Sequence, residues 1–521
     1  MRLFSMKSGQ ARMLLAEAVA ALAVSALIAG CGNNYRPVVT PINPSGPAAQ
    51  VTSYVVVVSS TGSSSDGVAT IIDYSGDSIM AQAPIGVSPY AFTIDELGSE
   101  GYTLNSDGTL TNFPISTSSL QAKNVLVSTL PSGAQPVNMM APSTGLSAAD
   151  LTGDVLDQFT GIPETFQRSI PLGTSASPVT MPVSVFGPPS LTGQRQYVLS
   201  QNVPDTAAGM TECNSSPRTA PLGSATPIEI ASNTADPPIQ VGKCPVYAVQ
   251  SSDLRRFFVL NRGDDTITVI NSQNNALDAC TPFQNQNGQW ITCHPTIQLP
   301  AGSGPVYGEF NAATQQLIVA NYDGGSISVI DVSLDEYGND SNTYTNNCSS
   351  GTYASCGAIT GGFGTTYTIP VGNTATPNPA SVTVLADGSK AYTANQNDTA
   401  TGDSNGTVTV VNLSTHQVEK TLTVVGHPRT VASTQNSEYS KIYVASPDSP
   451  YVTVISSTPT VTDEIENTIL IQGDVVDLRV TTQNGSSGNV NFTSRVPGYG
   501  QPCNLPGAAY THSLDDCRKI Q

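Results

Sequence analysis

The stretch that decides the fold is Gln316-Leu-Ile-Val-Ala-Asn321, followed by Asp323-Gly-Gly325 and then by Ser326-Ile-Ser-Val-Ile-Asp331. In its last part Ile and Val alternate with Ser, which is the period-2 pattern of a β-strand that packs on one face. The Asp and Gly residues between the two apolar runs accept the left-handed backbone of a tight turn. The stretch therefore predicts an antiparallel hairpin.

The same hairpin recurs along the chain, so we expect a fold built from repeats. The clearest further copies span 256–271, 390–412 and 441–456. Most repeats open after a proline corner, at Pro89, Pro136, Pro178, Pro245, Pro305, Pro379 and Pro428.

These repeats resemble the YVTN-repeat β-propeller family, whose strand-end motif here reads Tyr443-Val-Ala-Ser446. The resemblance is good from about 245 to 474 and degenerate from 53 to 244, and no copy matches the motif in full. It implies a ring of four-stranded blades around a central channel.

An alternating strand of the third-strand type occurs near 68–74, 109–115, 155–161, 226–232, 266–272, 326–332, 407–413 and 452–458. We therefore predict an all-β fold, a single β-propeller of eight four-stranded blades over residues 51–497, with seven blades as the alternative. The first unit, from Tyr54, lacks an innermost strand, and residues 475–481 supply one. Pairing of these N- and C-terminal strands should close the ring and hide both sheet edges. The copy at 146–161 is the weakest, because Asp150, Asp154 and Asp157 interrupt its pattern.

Composition agrees with this fold. Only 11% of residues are charged, against about 25% in typical soluble domains. The chain holds 45 Gly and 37 Pro, which excludes coiled coils and helical bundles. The net charge of −19 excludes a surface that attracts nucleic acid.

Residues 1–30 are predicted to be a lipoprotein signal peptide. Arg2, Lys7 and Arg12 precede an apolar run of about 12 residues, which is shorter than the roughly 20 that a membrane-spanning helix needs. Next, Ile28-Ala29-Gly30-Cys31 resembles the bacterial lipobox, which implies that Cys31 carries the lipid. An ordinary secretory signal with an incidental cysteine is the alternative.

The predicted localisation of the protein is the bacterial cell envelope. Residues 31–50 form a lipidated, Pro-rich tether that holds the body to the bilayer through the Cys31 acyl anchor. Gly32 follows the acceptor cysteine, which by resemblance favours the outer over the inner membrane. The body is then expected in the periplasm or at the cell surface.

With Cys31 assigned to lipid, an even number of cysteines remains. Sequence neighbours suggest four disulfides: Cys213–Cys244, Cys280–Cys293, Cys348–Cys356 and Cys503–Cys517. The last pair lies in a C-terminal tail, 498–521. Free thiols or a metal site are the alternative, although the chain has no CxxC motif.

Insertion positions agree with this pairing. Insertions 202–225 and 396–406 fall between second and third strands, on the face that carries the corners between blades. Insertions 273–293 and 333–365 fall between third and fourth strands, on the opposite face. Each neighbour pair in the propeller then joins residues on one face.

Candidate chemistry is sparse. Gly402–Gly406 matches G-x-S-x-G but lies in a polar loop instead of a strand-to-helix elbow. The histidines His294, His416, His427 and His512 form no metal-binding or haem motif. We predict no catalytic, cofactor-binding or metal residues. The weak calcium candidates are Asp331, Asp335, Glu336 and Asp340, for which a solvated acidic loop is the default interpretation.

The sequence thus favours a monomeric, non-catalytic propeller that acts as a binding or scaffold module for an envelope protein or a glycan. A lactonase-like or other hydrolase with its site at the channel mouth is one alternative. A structural component of a surface layer is another.

Overall fold

The computed structural model of the chain describes residues 54–95, 97–142, 145–187, 195–203, 213, 217–252, 256–272, 275–278, 283–284, 290–291, 296–332, 366–399, 405–434, 440–457 and 462–481. The chain divides into two compact units, 1–52 and 53–521, and every described residue belongs to the second. The predicted signal peptide, the tether with Cys31 and the 498–521 tail lie outside the described residues.

The described residues form eight antiparallel sheets arranged as the blades of a propeller, which confirms the predicted fold and blade number. The strands of blades 1 to 4 are as follows: blade 1, β1 (Tyr54–Ser60), β2 (Asp66–Asp73) and β3 (Ser78–Val87); blade 2, β4 (Pro89–Ile94), β5 (Glu100–Asn105), β6 (Thr109–Pro114) and β7 (Leu126–Thr129); blade 3, β8 (Pro136–Met140), β9 (Leu146–Asp150), β10 (Val155–Thr160) and β11 (Thr165–Pro171); blade 4, β12 (Pro182–Phe186), β13 (Arg195–Ser200), β14 (Leu222–Glu229), β15 (Thr234–Ala235) and β16 (Ile239–Lys243).

Blade 5 has β17 (Pro245–Gln250), β18 (Arg256–Asn261), β19 (Thr266–Asn271), β20 (Ala276–Leu277) and, after a separate hairpin of β21 (Phe283–Gln284) and β22 (Trp290–Ile291), β23 (Thr296–Gln298). Blade 6 has β24 (Pro305–Asn311), β25 (Gln316–Asn321), β26 (Ser326–Asp331) and β27 (Thr366–Pro370), and blade 7 has β28 (Pro379–Val384), β29 (Lys390–Asn395), β30 (Thr407–Asn412) and β31 (Gln417–Thr423). Blade 8 has β32 (Thr430–Ser433), β33 (Lys441–Ala445), β34 (Tyr451–Ser457) and β35 (Thr462–Leu470), and the last strand, β36 (Asp474–Val480), belongs to blade 1. The described part contains one helical element with defined bounds, the 3-10 turn η1 (Ala122–Asn124), and Cys213 is also helical. No helix in that part of the chain has the length and apolar character needed to span a membrane.

The ring closes through its two ends, as predicted. β36 pairs with β1 in antiparallel register, with Val57 opposite Leu478, and supplies the inner strand of blade 1. The first strands of successive blades contact one another around the ring, and β36 contacts both β32 and β4.

The hydrophobic core lies between neighbouring blades. Between blades 5 and 6, for example, Phe258 and Val269 pack with Phe310, Leu317 and Val319, all nearly inaccessible to solvent. Burial of both faces of each sheet explains why Ile and Val dominate the alternating positions.

The polar positions of the repeat also have a common role. The Asn that ends the second strand donates from Nδ2 to hydroxyls at the first and third positions of the third strand, at 2.8–3.1 Å. The four sets are Asn105 with Thr109 and Thr111, Asn261 with Thr266 and Thr268, Asn321 with Ser326 and Ser328, and Asn395 with Thr407 and Thr409. These hydrogen bonds satisfy the buried Nδ2 group in each of the four hairpins and explain the recurring Asn and Thr or Ser.

One corner differs from the prediction. The inner strand of blade 4 begins at Pro182 and not after Pro178, because Thr174 and Ser177 first form an extra turn through two backbone hydrogen bonds. The predicted insertion 333–365 lies between β26 and β27, but the predicted end of 202–225 is wrong: β14 begins at Leu222, where Leu222 pairs with Lys243, so the segment between β13 and β14 ends at 221.

Candidate functional site

The first strands of the blades form the channel wall. The inner strands are mostly buried, and their polar side chains connect neighbouring blades. Val185 N donates to Asn138 Oδ1 at 2.8 Å, and Val384 N donates to Glu309 Oε2 at 2.7 Å. Ser381 Oγ donates to the carbonyl of Arg429 at 2.7 Å. These side chains satisfy backbone groups of the wall.

Charged groups on this wall concentrate at the closure. Arg429, Asp477 and Arg479 are all less than 7% exposed. Arg479 Nη2 lies 3.2 Å from Asp477 Oδ2, Thr430 Oγ1 donates to Asp477 Oδ1 at 2.9 Å, and Arg429 donates to the carbonyl of Val476. These contacts join blade 8 to β36, so the charged side chains stabilise the closure of the ring.

The turns between second and third strands carry recurrent aspartates that cap the preceding corner. Asp264 accepts from the backbone N–H of Lys243, Asp398 from that of Asn373, and Asp448 from that of His427. His427 Nδ1 also lies 2.5 Å from Asp448 Oδ2. The imidazole is thereby anchored to a structural cap. His416 stacks on Tyr367, and His294 and His512 lie outside the described residues.

The 202–225 insertion is held to the corner face. Cys213 and Cys244 form the predicted disulfide and are both nearly inaccessible to solvent. Arg218 Nη1 donates to Asp265 Oδ2 at 2.5 Å, and Asp265 also accepts from the N–H groups of Gly302 and Gly304, both at 2.8 Å. Burial alone would raise the pKa of Asp265, but these hydrogen bonds outweigh it and lower that pKa. The insertion, which belongs to blade 4, is thus tied to the corner between blades 4 and 5 and to the Asp265 turn of blade 5.

Removing this disulfide is expected to destabilise the protein. The bond closes a loop with a sequence separation of 31, and a cross-link of that size stabilises by about 3 kcal/mol. Cys213→Ser/Cys244→Ser should therefore lower the free energy of unfolding by about that amount. Urea titration followed by circular dichroism measures it. Leu222→Ser, at the 43% exposed first residue of β14, should change little; an equal loss in both variants contradicts the prediction.

The opposite face carries a second recurrent contact, which we call the interblade clamp. In this clamp, the side chains of the first and third residues of a second strand donate to one acidic side chain of the next blade. That acidic residue lies at the start of the outermost strand or directly before it. Lys441 Nζ and Tyr443 Oη each donate to Asp77, both at 2.6 Å. Lys390 Nζ and Tyr392 Oη each donate to Asp463, both at 2.5 Å.

Between blades 2 and 3 the clamp is acidic on both sides. The second strand of blade 2 begins Glu100-Gly-Tyr102, so Glu100 stands where Lys390 and Lys441 stand in blades 7 and 8. Glu164 directly precedes β11, as Asp77 directly precedes β3. Glu164 is 6% exposed, and its Oε2 has no hydrogen-bond partner in the described part of the chain.

Blade 3 has acidic residues at two further positions of the repeat. Asp150 ends β9, where other blades have Asn, and Asp157 is the third residue of β10, where they have Thr or Ser. Asp157 is 1% exposed and accepts from Ser169 Oγ at 2.6 Å. Burial raises the pKa of Asp157 to about 6, with a smaller contribution from the charge of Asp150. Asp157 and Glu164, both in blade 3, therefore have raised pKa values, as is common at functional sites.

The clamp residues also perturb one another. Burial, followed by the charge of Glu100, raises the pKa of Glu164 to about 7. Burial and the charge of Asp95 raise the pKa of Glu100, against a hydrogen bond from Asn112. The pKa of Tyr102 is raised by burial and then by the charges of Glu164, Asp95 and Glu100. The carboxyl groups of Glu100 and Glu164 form no ion pair with a Lys, Arg or His side chain among the described residues.

This arrangement predicts a pH dependence of stability. Folded Glu164, with a pKa of about 7 against an ordinary value of 4.5, binds its proton more tightly than the unfolded chain does. Its stabilising contribution is therefore complete below about pH 4.5 and is lost as the pH rises through 7. In metal-free buffer, Glu164→Gln should match the wild type at pH 4.5 and exceed it by about 3 kcal/mol at pH 8. Glu464→Gln, at a 67% exposed side chain, is the control; a constant difference between wild type and Glu164→Gln contradicts the prediction.

Most residues named from the sequence are not brought together. Asp331 ends β26 opposite Gln316, while Asp335, Glu336 and Asp340 lie outside the described residues. So do Gly402–Ser404 and Cys280, Cys293, Cys348, Cys356, Cys503 and Cys517. Within the described ranges, no group of three or more His, Cys, Asp or Glu side chains is arranged to hold a metal ion.

Sequence reasoning missed Glu100 and Glu164. An alignment of the four second strands that have Tyr at the third position would have marked Glu100, because the other three begin with Arg195, Lys390 and Lys441. No comparable signal marks Glu164 before its partner strand is known.

Comparison with known proteins agrees with this architecture. No family model and no curated protein matches the chain. Among solved structures, the dihydro-haem d1 dehydrogenase NirN is 13% identical, covers 84% of this chain and 76% of its own, and has a TM-score of 0.53. AztD from Citrobacter koseri is 13% identical over 82% of this chain and 98% of its own, with a TM-score of 0.50. The periplasmic gluconolactonase of Pseudomonas aeruginosa is 16% identical over 83% and 99%, with a TM-score of 0.44. At this identity the likeness establishes that the chain is a β-propeller and carries no activity over to it.

Proposed function

We propose that this chain is an exported, lipid-anchored envelope protein whose propeller binds a protein or glycan partner on its corner face. The observation that carries the proposal is the 202–225 insertion, which is tied to the corner between blades 4 and 5 by Cys213–Cys244 and to blade 5 by Arg218 with Asp265. A loop fixed on a rigid scaffold loses little conformational entropy on binding, which favours recognition.

The channel supports the same proposal. Hydrolysis at the channel mouth needs ionisable side chains that converge on a substrate. The charged groups described on the inner strands instead contact neighbouring blades: Glu309 accepts from Val384 N, and Asp477 contacts Arg479 and Thr430. We accordingly favour a binding or scaffold role over the lactonase-like alternative and over a surface-layer role.

The proposed localisation in the cell envelope follows from the sequence, and the predicted lipobox at Cys31 supports it. We also propose membership of the YVTN-repeat propellers, which the motif at 443–446 and the blade architecture support. Export to an oxidising compartment agrees with the Cys213–Cys244 disulfide.

Site-specific photocrosslinking in living cells tests the corner face. Photoreactive side chains replace Leu222 on the corner face and Ile162 on the opposite face, which are 43% and 89% exposed. We expect a discrete adduct from position 222 that is absent from position 162. Adducts of equal yield from both positions, or hydrolysis of simple lactones by the purified protein that His427→Ala abolishes, would overturn the proposal.

A further inference from the structure

We propose that the interblade clamp between blades 2 and 3 binds a calcium ion between Glu100 and Glu164, a role independent of partner binding on the corner face. The inference rests on a comparison within the ring. Three of the four second strands with Tyr at the third position begin with a basic residue, and the fourth begins with Glu100.

Equivalent clamps show what the position requires. In blade 7, Lys390 Nζ lies 2.5 Å from Asp463 Oδ2 and 2.8 Å from Glu419 Oε2. In blade 8, Lys441 Nζ lies 2.6 Å from Asp77 Oδ2. Both ammonium groups are largely buried, with Lys side chains 15% and 9% exposed. A cation is therefore a structural part of these clamps.

Between blades 2 and 3 the protein supplies the anions without the cation. Glu164 is 6% exposed, its Oε2 has no hydrogen-bond partner in the described residues, and the only charged groups that act on it from blade 2 are negative. A buried carboxylate without a counter-charge is strongly destabilising, so it takes up either a proton or a cation.

The donor set fits a hard divalent cation. Glu100 and Glu164 offer carboxylate oxygens, and Asn112, which lies opposite Tyr102 across β5 and β6, donates a hydrogen bond to Glu100. Calcium binds carboxylate oxygens and water at 2.3–2.6 Å. Two carboxylates and water suit calcium better than metals that require His or Cys.

Glu100→Lys provides a decisive variant, because it rebuilds the clamp of blades 7 and 8. The protein is stripped with EDTA and its thermal midpoint is measured with and without Ca²⁺. Tb³⁺ luminescence sensitised by tyrosine reports binding directly. We expect Ca²⁺ to raise the midpoint of the wild type. Glu100→Lys should be stable without Ca²⁺ and gain nothing from it, and Glu164→Gln should bind Tb³⁺ at least about tenfold more weakly.

Asp335→Asn/Asp340→Asn controls for the acidic insertion and should keep the full calcium response. If Glu100→Lys fails to fold, the Tb³⁺ comparison between wild type and Glu164→Gln decides. An unchanged midpoint of the wild type in Ca²⁺, or an equal Tb³⁺ response in wild type and Glu164→Gln, would overturn the proposal. In either case Glu164 carries a proton in place of a metal ion.

Discussion

Leu478→Asp is expected to open the ring. Leu478 lies on β36, is fully buried, and packs with Val55 and Val57 of blade 1 and with Tyr443 and Val454 of blade 8. Deleting a buried Leu side chain costs about 2–5 kcal/mol, and an unpaired buried charge adds to that cost. We expect a loss above about 5 kcal/mol, comparable with the whole stability of many domains. Soluble yield and the urea midpoint, followed by circular dichroism, measure the loss.

The matched control for ring closure is Leu470→Asp. Leu470 ends β35, the outermost strand of blade 8, and is 58% exposed. The same substitution there should shift the midpoint by less than about 0.5 kcal/mol. If Leu478→Asp remains as stable as Leu470→Asp, pairing of β36 with β1 does not hold the ring together.

Lys441→Met is expected to have the second largest effect. Lys441 spans the junction between blades 8 and 1, where its Nζ donates to Asp77, a carboxylate only 6% exposed. Removing the Lys leaves Asp77 buried without its counter-charge, which costs about 3–5 kcal/mol. Chemical denaturation of the variant measures this loss.

Two variants keep the clamp prediction falsifiable. Lys420→Met breaks only an exposed pair with Glu464 at 3.9 Å, so we expect a loss below about 1 kcal/mol. Lys441→Met/Asp77→Asn removes both charges and should recover part of the stability lost in Lys441→Met. Equal losses in Lys420→Met and Lys441→Met, or no recovery in the double variant, would show that the clamp is not an important contact.

Local sequence pattern predicted the blades because hairpin formation is local. Asn321 and Ser326 lie five residues apart, and the alternation in β26 correctly indicated a strand. The expectation that only one face packs was wrong, because Ser326 and Ser328 are buried as well as the Ile and Val residues. Ring closure was also predictable, since residues 475–481 formed an inner strand that lacked a blade. Even blade 3 formed despite its aspartates, because the antiparallel backbone pairing of β9 and β10 does not depend on side chains.

The clamps could not be predicted because they join residues far apart in the chain. Lys441 and Asp77 are separated by 364 positions, and Lys390 and Asp463 by 73. Which turn faces which strand depends on the order and packing of the blades. The role of Glu164 therefore cannot be predicted until Glu100 and Tyr102 are known to lie across the interface between blades 2 and 3.

We propose that this propeller is an exported lipoprotein stabilised by disulfides, and intact mass spectrometry of the membrane-extracted protein tests this proposal. The protein is measured with and without reduction and alkylation. We predict a chain that lacks residues 1–30, carries acyl chains on Cys31, and shows eight alkylated thiols only after reduction. A full-length or unlipidated chain, or thiols that alkylate without reduction, would contradict the claim.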